Sequence, residues 1–332
     1  MYRTLTVLLT LYGFLLGNVS HAMNSGSDVD DIRFSYVGLK EGLSHSTVFD
    51  INQDRNGYMW FATSDGVNKF DGYNIRVYRH EYTNTASIAS DLTRCIAIDG
   101  QNRIWIGTRE GLSFYNQDLD VFDNYYYKKG GKNIAVSSIA PMSKDLLMLG
   151  TTEGIILFDI PGERFLNDTL SSAVHLLKPQ TSIQQGDEIY IGTSRGVYTY
   201  HPGTNNLQRL LKLPDGLQIQ AILCQMVNYL WIATEGDGLF LYNRKTNELK
   251  NYRSEDTTSG LNSNFVRSLA LDLENRLWIG TYNGLNIYKE VKRSSSPFRI
   301  LNCSKAACRR TPYAASSETL REACGWALIG VA

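Results

Sequence analysis

The sequence has no surplus of charge of either sign. It contains 33 basic and 33 acidic side chains among 332 residues, so its formal net charge is zero. A nucleic-acid groove requires a basic excess, and we therefore expect no nucleic-acid partner. Proline is scarce, with 7 residues, whereas 28 glycines and 20 tyrosines are present. This composition is typical of many short strands joined by turns.

Motifs of common catalytic and metal sites are missing as well. The sequence contains no G-x-S-x-G, H-E-x-x-H or G-x-x-x-x-G-K-S/T motif. Its five histidines are scattered, and the turn Asp54–Gly57 lacks the later Glu of a calcium loop. We therefore predict no catalytic residue, no metal site and no cofactor, and we do not expect an enzyme.

Long hydrophobic runs are absent except for one near the N-terminus. Arg3 precedes an apolar run from Leu5 to Leu16, and Ser20-His21-Ala22 follows with small residues. The run is shorter than the roughly 20 residues that cross a bilayer. We predict a cleaved secretory signal over residues 1–22, a linker over 23–31 and export to the periplasm, with no membrane span in the mature chain. An ordinary buried strand or helix is the alternative.

One segment repeats along the chain. Trp60-Phe61-Ala62-Thr63 returns as Trp105-Ile106-Gly107-Thr108 and again as Trp278-Ile279-Gly280-Thr281. The steps between anchors are 45, 43, 42, 41 and 47 residues, the length of a four-stranded propeller blade. The six anchors are Trp60, Trp105, Met148, Tyr190, Trp231 and Trp278. The pattern predicts an all-β fold, a β-propeller with six repeats over residues 32–301.

Each repeat divides into four strands. In the first we predict Val48–Gln53, Tyr58–Thr63, Val67–Asp71 and Ile75–Tyr78. The second strands are nearly continuous apolar runs, as expected of a sheet covered on both faces. We expect the anchor Trp residues to pack between blades, paired with the Gly or Ala that stands two places after each anchor.

A glycine closes the turn after every second strand. We interpret it as structural, because a tight turn with positive φ suits Gly; a ligand-binding glycine loop is the alternative. The six positions are Gly66, Gly111, Gly154, Gly196, Gly238 and Gly284.

The two ends of the repeat region predict an incomplete ring. Ile32–Tyr36 matches the fourth-strand pattern and is expected to complete a last blade, while Pro297–Leu301 is a candidate fourth strand for the sixth. Residues 302–332 contain no further repeat and concentrate Cys, Ala and Arg. We interpret them as a foreign, frame-shifted or truncated tail, with a helical cap as the alternative, and expect six blades of an intended seven.

Antiparallel order predicts where a ligand would bind. The loop that leads into each first strand and the turn between the second and third strands fall on the same face. Polar and aromatic groups there suit a sugar, although solvated turn tips are the simpler interpretation of any single residue. The candidate ligand-binding residues are His45, Asp65, Arg109, Glu110, Arg195, Glu235, Asp237, Tyr282 and Asn283.

Two stretches resemble a known repeat. Asp272–Tyr288, which reads DLENRLWIGTYNGLNIY, and Gly42–Val48 are similar to the two-component regulator propeller repeat. The resemblance implies the exported sensor region of a bacterial receptor, a homodimer with a membrane helix and a histidine kinase or diguanylate cyclase as output. In the histidine-kinase class it implies an oligosaccharide ligand. The sequence shows no second propeller, membrane helix or output domain, so we do not expect signalling by this chain alone.

Two other functions remain open from the sequence. A propeller can dock a protein partner through its flat face, and some propellers are lyases, although no paired acid and base supports the latter here.

Overall fold

Six four-stranded antiparallel sheets follow one another along the chain. The computed structural model describes residues 36–166, 179–204, 206–214, 216–256, 260–272, 274–290 and 298–302. The described residues all belong to one compact unit that begins at Ser35. The predicted signal, the linker, residues 32–35 of the predicted closing strand and the tail from 303 onward lie outside the described residues.

Every sheet has its strands in chain order, and we number the sheets as blades 1 to 6. Blade 1 consists of β1 (Val48–Gln53), β2 (Met59–Thr63), β3 (Gly66–Phe70) and β4 (Ile75–Tyr78), and blade 2 of β5 (Thr93–Ile98), β6 (Ile104–Thr108), β7 (Leu112–Asn116) and β8 (Val121–Tyr125). A two-stranded ribbon follows, β9 (Lys128–Lys129) and β10 (Lys132–Asn133). Blade 3 consists of β11 (Val136–Pro141), β12 (Leu146–Thr151), β13 (Gly154–Asp159) and β14 (Arg164–Leu166). Blade 4 consists of β15 (Pro179–Gln185), β16 (Glu188–Thr193), β17 (Gly196–His201) and β18 (Asn206–Leu211). Blade 5 consists of β19 (Ile219–Gln225), β20 (Tyr229–Thr234), β21 (Leu239–Asn243) and β22 (Glu248–Tyr252). Blade 6 consists of β23 (Val266–Leu271), β24 (Leu277–Thr281), β25 (Gly284–Glu290) and β26 (Phe298–Asn302).

The predicted all-β propeller of four-stranded blades is confirmed. The described residues contain no α-helix, and two short 3₁₀ turns, Leu39–Glu41 and Pro202–Thr204, are their only helical elements. Consecutive blades contact each other through their first strands, in the series β1, β5, β11, β15, β19 and β23. A fourth strand of blade 6 is present as β26. The seventh blade stays a prediction.

The anchor indoles donate hydrogen bonds to the turn between the first and second strands. Trp60 Nε1 lies 2.9 Å from Asp54 Oδ2, and the bonds Trp105–Asp99 and Trp278–Asp272 repeat this at 3.1 and 2.8 Å. The other oxygen of the same carboxylate accepts turn amides, in blade 1 those of Asn56 and Tyr58. One acid thus satisfies a buried indole and closes the hairpin. It also ends the turn at Tyr58, which explains why β2 begins at Met59 and not at the predicted Tyr58.

The residue six places before the anchor varies with the chemistry of the anchor. In blade 5 the indole of Trp231 donates to Gln225 Oε1 at 2.8 Å. In blade 3 the anchor Met148 has no donor, and Met142 occupies the acceptor position, packed in the same apolar cluster. In these five blades a donor therefore pairs with an acceptor and a thioether with a thioether, whereas in blade 4 the hydroxyl of the anchor Tyr190 donates to Glu188. This matching follows from the cost of burying a polar group without a partner.

The anchor side chains pack against the third strand of the next blade. The ring centroids of Trp60 and Tyr115 are 4.8 Å apart, and Trp231 lies 4.6 Å from Tyr288 in the same way. The small residue two places after the anchor has other neighbours: a Cβ on Gly150 would lie 2.2 Å from Ser138 Oγ and 2.8 Å from Pro179 Cγ. The expected pairing of anchor with small residue is therefore wrong. The small residue instead makes room for the first strands of its own and the next blade.

A threonine and a glycine close each turn between the second and third strands. The Thr193 hydroxyl donates to the Gly196 carbonyl at 2.9 Å and accepts the Arg195 amide at 3.1 Å, and equivalent Thr–Gly bonds of 2.7–3.0 Å occur in the other five blades. Gly196 has φ +120°, and a Cβ there would lie 2.1 Å from the Leu211 carbonyl oxygen. The fourth strand approaches so closely that only glycine fits.

The carboxylate–indole bond yields a test by double-mutant cycle. We expect Asp54→Ala and Trp60→Phe each to lower the free energy of unfolding by about 1–3 kcal/mol, because each leaves a buried polar group without its partner. The double variant should lose less than the sum, with a coupling of about 0.5–3 kcal/mol, measured by chemical denaturation. Asp118→Ala, in an exposed turn, is the control. Strictly additive losses would show that the bond contributes nothing.

The glycine turn yields a second test. We expect Gly196→Ala to lower the free energy of unfolding by more than about 1 kcal/mol, because it combines a disfavoured φ with a carbonyl clash. Gly203→Ala is the matched control, since nothing lies within 4 Å of a Cβ there. Equal melting temperatures of the two variants would contradict the steric argument.

Candidate functional site

The loops that carry the predicted site are hydrogen-bonded to one another. The amides of Arg109, Glu235 and Tyr282, in turns between second and third strands, donate to the carbonyls of Leu92, Gln218 and Phe265 at 2.9–3.1 Å. Each acceptor lies at the start of a first strand or in the loop that leads into it. In blades 2, 5 and 6 the turn and the lead-in loop of the same blade therefore lie side by side, and we call this end of the blades the rim.

Every first strand carries a β-bulge next to this rim. In each blade the pairing with the second strand shifts by one residue after the first position. A bulge leaves one residue without a cross-strand partner and redirects its side chain. The six bulged residues are Phe49, Arg94, Ser137, Gln180, Gln220 and Arg267.

The bulges of blades 5 and 6 build a polar and aromatic cluster. Arg267 Nη2 lies 3.0 Å from Glu235 Oε1, and Gln220 Nε2 donates to the other oxygen of Glu235 at 2.7 Å. Arg267 also donates to the Tyr282 hydroxyl, and its guanidinium stands 4.7 Å from the centre of the Tyr282 ring. The Phe265 ring meets Tyr282 edge-on at 5.5 Å. We call Gln220, Glu235, Phe265, Arg267 and Tyr282 the rim cluster.

Exposure within the rim cluster is graded. The Arg267 and Glu235 side chains are 16% and 28% exposed, whereas Phe265 and Tyr282 are 45% and 40% exposed. A partly desolvated ion pair thus lies beside two exposed aromatic rings. This combination offers directed hydrogen-bond groups and a stacking surface at the same place.

Four other predicted residues are bound to local partners. The Asp65 carboxylate receives Nε and Nη2 of Arg79 at 3.1 and 2.8 Å, and this bond holds the pKa of Asp65 below its usual value. Similar side-chain bonds of 3.0–3.1 Å join Asp237 to Arg253, Glu110 to Asn133, and Asn283 to the Asn262 carbonyl. These bonds hold the four side chains to local partners, and their role in ligand binding stays a prediction.

The three remaining predicted residues do not join the rim cluster. His45 Nδ1 accepts the Thr47 amide at 2.9 Å and lies within electrostatic range of Asp65. Arg109 and Arg195 are exposed at their turn tips. Of the nine predicted residues, the structure therefore brings together Glu235 and Tyr282.

Sequence reasoning missed Gln220, Phe265 and Arg267. A signal was available, because five of the six bulged residues stand eleven places before their anchor and Gln180 stands ten before Tyr190. When the six repeats are aligned on these positions, with blade 4 shifted by one residue, the column is polar or aromatic in every blade, whereas its preceding neighbour is apolar or Thr.

A second bulge pair lies between blades 1 and 2. The Arg94 guanidinium stands 4.3 Å from the centre of the Phe49 ring. Next to Phe49, the Asp50 carboxylate receives the Ile96 amide of blade 2 at 2.7 Å and its neighbour's amide, Ile51, at 2.9 Å. Burial nevertheless raises the pKa of Asp50 to about 6.

The described ranges contain neither a metal-binding cluster nor a membrane-spanning helix. Within them no group of three or more His, Cys, Asp or Glu side chains is arranged to hold a metal ion. In the same residues no helix has the length and apolarity needed to cross a membrane.

Comparison with known proteins identifies the repeat. The family model described as "two component regulator propeller" matches residues 42–65, 87–110 and 260–283. Each match covers a lead-in loop and the first hairpin of blades 1, 2 and 6, the three blades in which an Asp carboxylate receives the anchor indole. These three segments are repeats of the two-component regulator propeller type, set in a propeller of six four-stranded blades.

Solved structures show the same kind of fold. The extracellular domains of two putative hybrid two-component systems of B. thetaiotaomicron match with TM-scores of 0.61 and 0.60 at 26% and 25% identity, over 76% and 79% of this chain. The matches cover 35% and 33% of those chains, so this chain spans about a third of their length. Virginiamycin B lyase of Staphylococcus aureus shares the fold alone, at 9% identity and a TM-score of 0.59.

One curated protein matches over a short stretch. "Histidine kinase P4" of Formosa agariphila is 47% identical over 49 residues, which are 15% of this chain and 4% of that protein.

The raised pKa of Asp50 yields a pH test. A carboxyl whose pKa is higher in the folded than in the unfolded chain destabilises the fold as pH rises from about 4 to about 6. We therefore expect the melting temperature of Asp50→Asn to rise relative to that of the parent protein as pH increases from about 4 to about 6. Above about pH 6 the difference between the two should stay constant. Asp118→Asn is the control. A difference between Asp50→Asn and the parent that is independent of pH would contradict the assignment.

Proposed function

We propose that this chain is the extracytoplasmic ligand-sensing propeller of a bacterial two-component receptor, and that it responds to an oligosaccharide at the rim cluster. The three matches to the two-component regulator propeller repeat and the likeness to extracellular domains of hybrid two-component systems support the receptor context. The observation that carries the site is the Arg267–Glu235 pair at 3.0 Å, flanked by exposed aromatic rings.

The chemistry of the rim cluster suits a hydroxylated ligand. Sugar hydroxyls donate to carboxylates and accept from guanidinium or amide groups, and all three lie within one hydrogen-bonded set here. The apolar C–H face of a pyranose stacks on an aromatic ring, and Tyr282 offers such a ring at 40% exposure. The cluster joins two blades, since Gln220 and Glu235 belong to blade 5 and Arg267 and Tyr282 to blade 6.

A periplasmic location and an N-terminal secretory signal are part of this proposal. The receptor's membrane helix, its output domain and its dimeric state belong to it as well.

The test is ligand binding by rim variants. The full chain is screened by thermal shift against oligosaccharides of several linkages, and hits are measured by calorimetry. We expect Arg267→Ala and Tyr282→Ala each to weaken binding about tenfold or more, because each removes a direct contact worth at least about 1.4 kcal/mol. Glu235→Gln keeps the shape but breaks the ion pair, and should weaken binding to a smaller extent.

Arg209→Ala is the matched control, since Arg209 is an exposed arginine on the outer strand β18. It should bind like the parent protein. A glycan that binds Arg267→Ala and Tyr282→Ala with unchanged affinity would exclude the rim cluster as the site. If no glycan shifts the melting temperature, the oligosaccharide assignment fails and the docking of a protein partner becomes the better explanation.

A further inference from the structure

A groove outside the rim cluster lies along the outer strand of blade 2. It has a volume of about 690 Å³ and is lined by three parts of the chain. These are the segment between β4 and β5, β8 with Tyr126 after it, and Glu163 of blade 3. We call this cavity the blade 2 groove.

The walls of the blade 2 groove are fixed by hydrogen bonds and packing. The Phe122 amide donates to the Ala86 carbonyl at 2.8 Å, and Asn124 Nδ2 donates to the Ser87 carbonyl at 2.7 Å. Ile88, one residue further on, is completely buried in the core between blades 1 and 2. The segment is therefore held against β8 before any ligand arrives, which lowers the entropy that binding must overcome.

Two tyrosine rings of the groove face solvent. Tyr82 is 96% exposed and makes a T-shaped contact with His80 at 5.0 Å between ring centroids; Tyr126 is 44% exposed. An exposed aromatic ring contributes little to the stability of the fold, and beside a cavity it offers a surface on which a ligand can stack. Both rings belong to the groove lining.

The charged groups of the groove are all of one sign apart from a histidine. Glu81, Asp123 and Glu163 are exposed carboxylates, and no Lys or Arg is among the described lining residues. Three carboxylates repel an anionic ligand and accept hydrogen bonds from hydroxyl groups. The side-chain amides of Asn84 and Asn124 are bonded within the walls: Asn84 donates to Glu81 Oε2 at 3.2 Å and accepts the Ala86 amide, and Asn124 accepts the Ser113 hydroxyl.

We propose that the blade 2 groove binds a neutral saccharide, with Tyr82 and Tyr126 stacking on its C–H faces and Glu81, Asp123 and Glu163 accepting its hydroxyls. This site is separate from the rim cluster and shares no residue with it.

The experiment measures binding of neutral and uronic-acid oligosaccharides to the full chain by calorimetry and NMR line broadening. We expect Tyr82→Ala to weaken binding of a neutral oligosaccharide about tenfold or more. Tyr73→Ala is the matched control, because Tyr73 is 92% exposed and lies in a blade 1 turn outside the groove. It should bind like the parent protein. Both residues are so exposed that the fold does not depend on them.

Charge selectivity provides the second readout. The double variant Asp123→Asn, Glu163→Gln should bind uronic-acid oligosaccharides more tightly than the parent protein, because two repelling charges are removed. Three results overturn the proposal: no neutral saccharide binds, Tyr82→Ala binds as well as Tyr73→Ala, or a polyamine such as spermine binds in a Tyr82-dependent way where saccharides do not.

Arg267→Ala separates this proposal from the rim cluster. Binding in the blade 2 groove should survive that substitution. A saccharide whose binding is abolished by Arg267→Ala and unaffected by Tyr82→Ala supports the rim cluster and excludes the groove.

Discussion

No blade of this protein can shield its own apolar surface. The second strand of each blade is buried along nearly its whole length, as in β6, where all five residues are buried. A four-stranded sheet has two faces, and both are apolar here, so each blade depends on its neighbours for cover. Trp60 provides this cover by packing against Tyr115 in the third strand of blade 2, and Trp231 packs in the same way against Tyr288 in the third strand of blade 6. Because the anchors face the neighbouring blade, their own polar atoms must be satisfied from within their hairpin. The carboxylates of Asp54, Asp99 and Asp272 serve that purpose.

The sequence was sufficient to predict the blades, because repetition separates architecture from chance. The column of anchors, the glycine at the turn and the lengths of the steps recur along the chain, so the strand bounds of blade 1 were predicted to within one residue. Pairing between blades was harder to foresee. Whether Trp60 contacts a glycine or Tyr115 depends on the stagger of two sheets, and a single repeat taken by itself does not contain that information.

The sequence also does not reveal which side chains come together at the rim. Charged turn residues such as Asp65 and Asp237 are conspicuous in the sequence, yet their carboxylates are held by Arg79 and Arg253, which lie just beyond the last strand of the same blade. Arg267 looked like an ordinary strand residue, and only the β-bulge that redirects it brings its guanidinium to Glu235. Backbone irregularities of this kind depend on hydrogen-bond register, which side-chain identity reveals poorly. The blade 2 groove was invisible for a similar reason, since its walls come from segments that are far apart in the sequence.

The placement of the Glu235–Arg267 pair across a blade boundary has a mechanical consequence. Blades 5 and 6 are held together by packing along their inner strands and, at the rim, by this clasp of opposite charges. Backbone bonds from the Gly236 and Gly238 amides to the Asn264 carbonyl join the same two blades beside this pair. A molecule that bound at the ion pair would therefore touch both sheets at the place where they are hydrogen-bonded to each other.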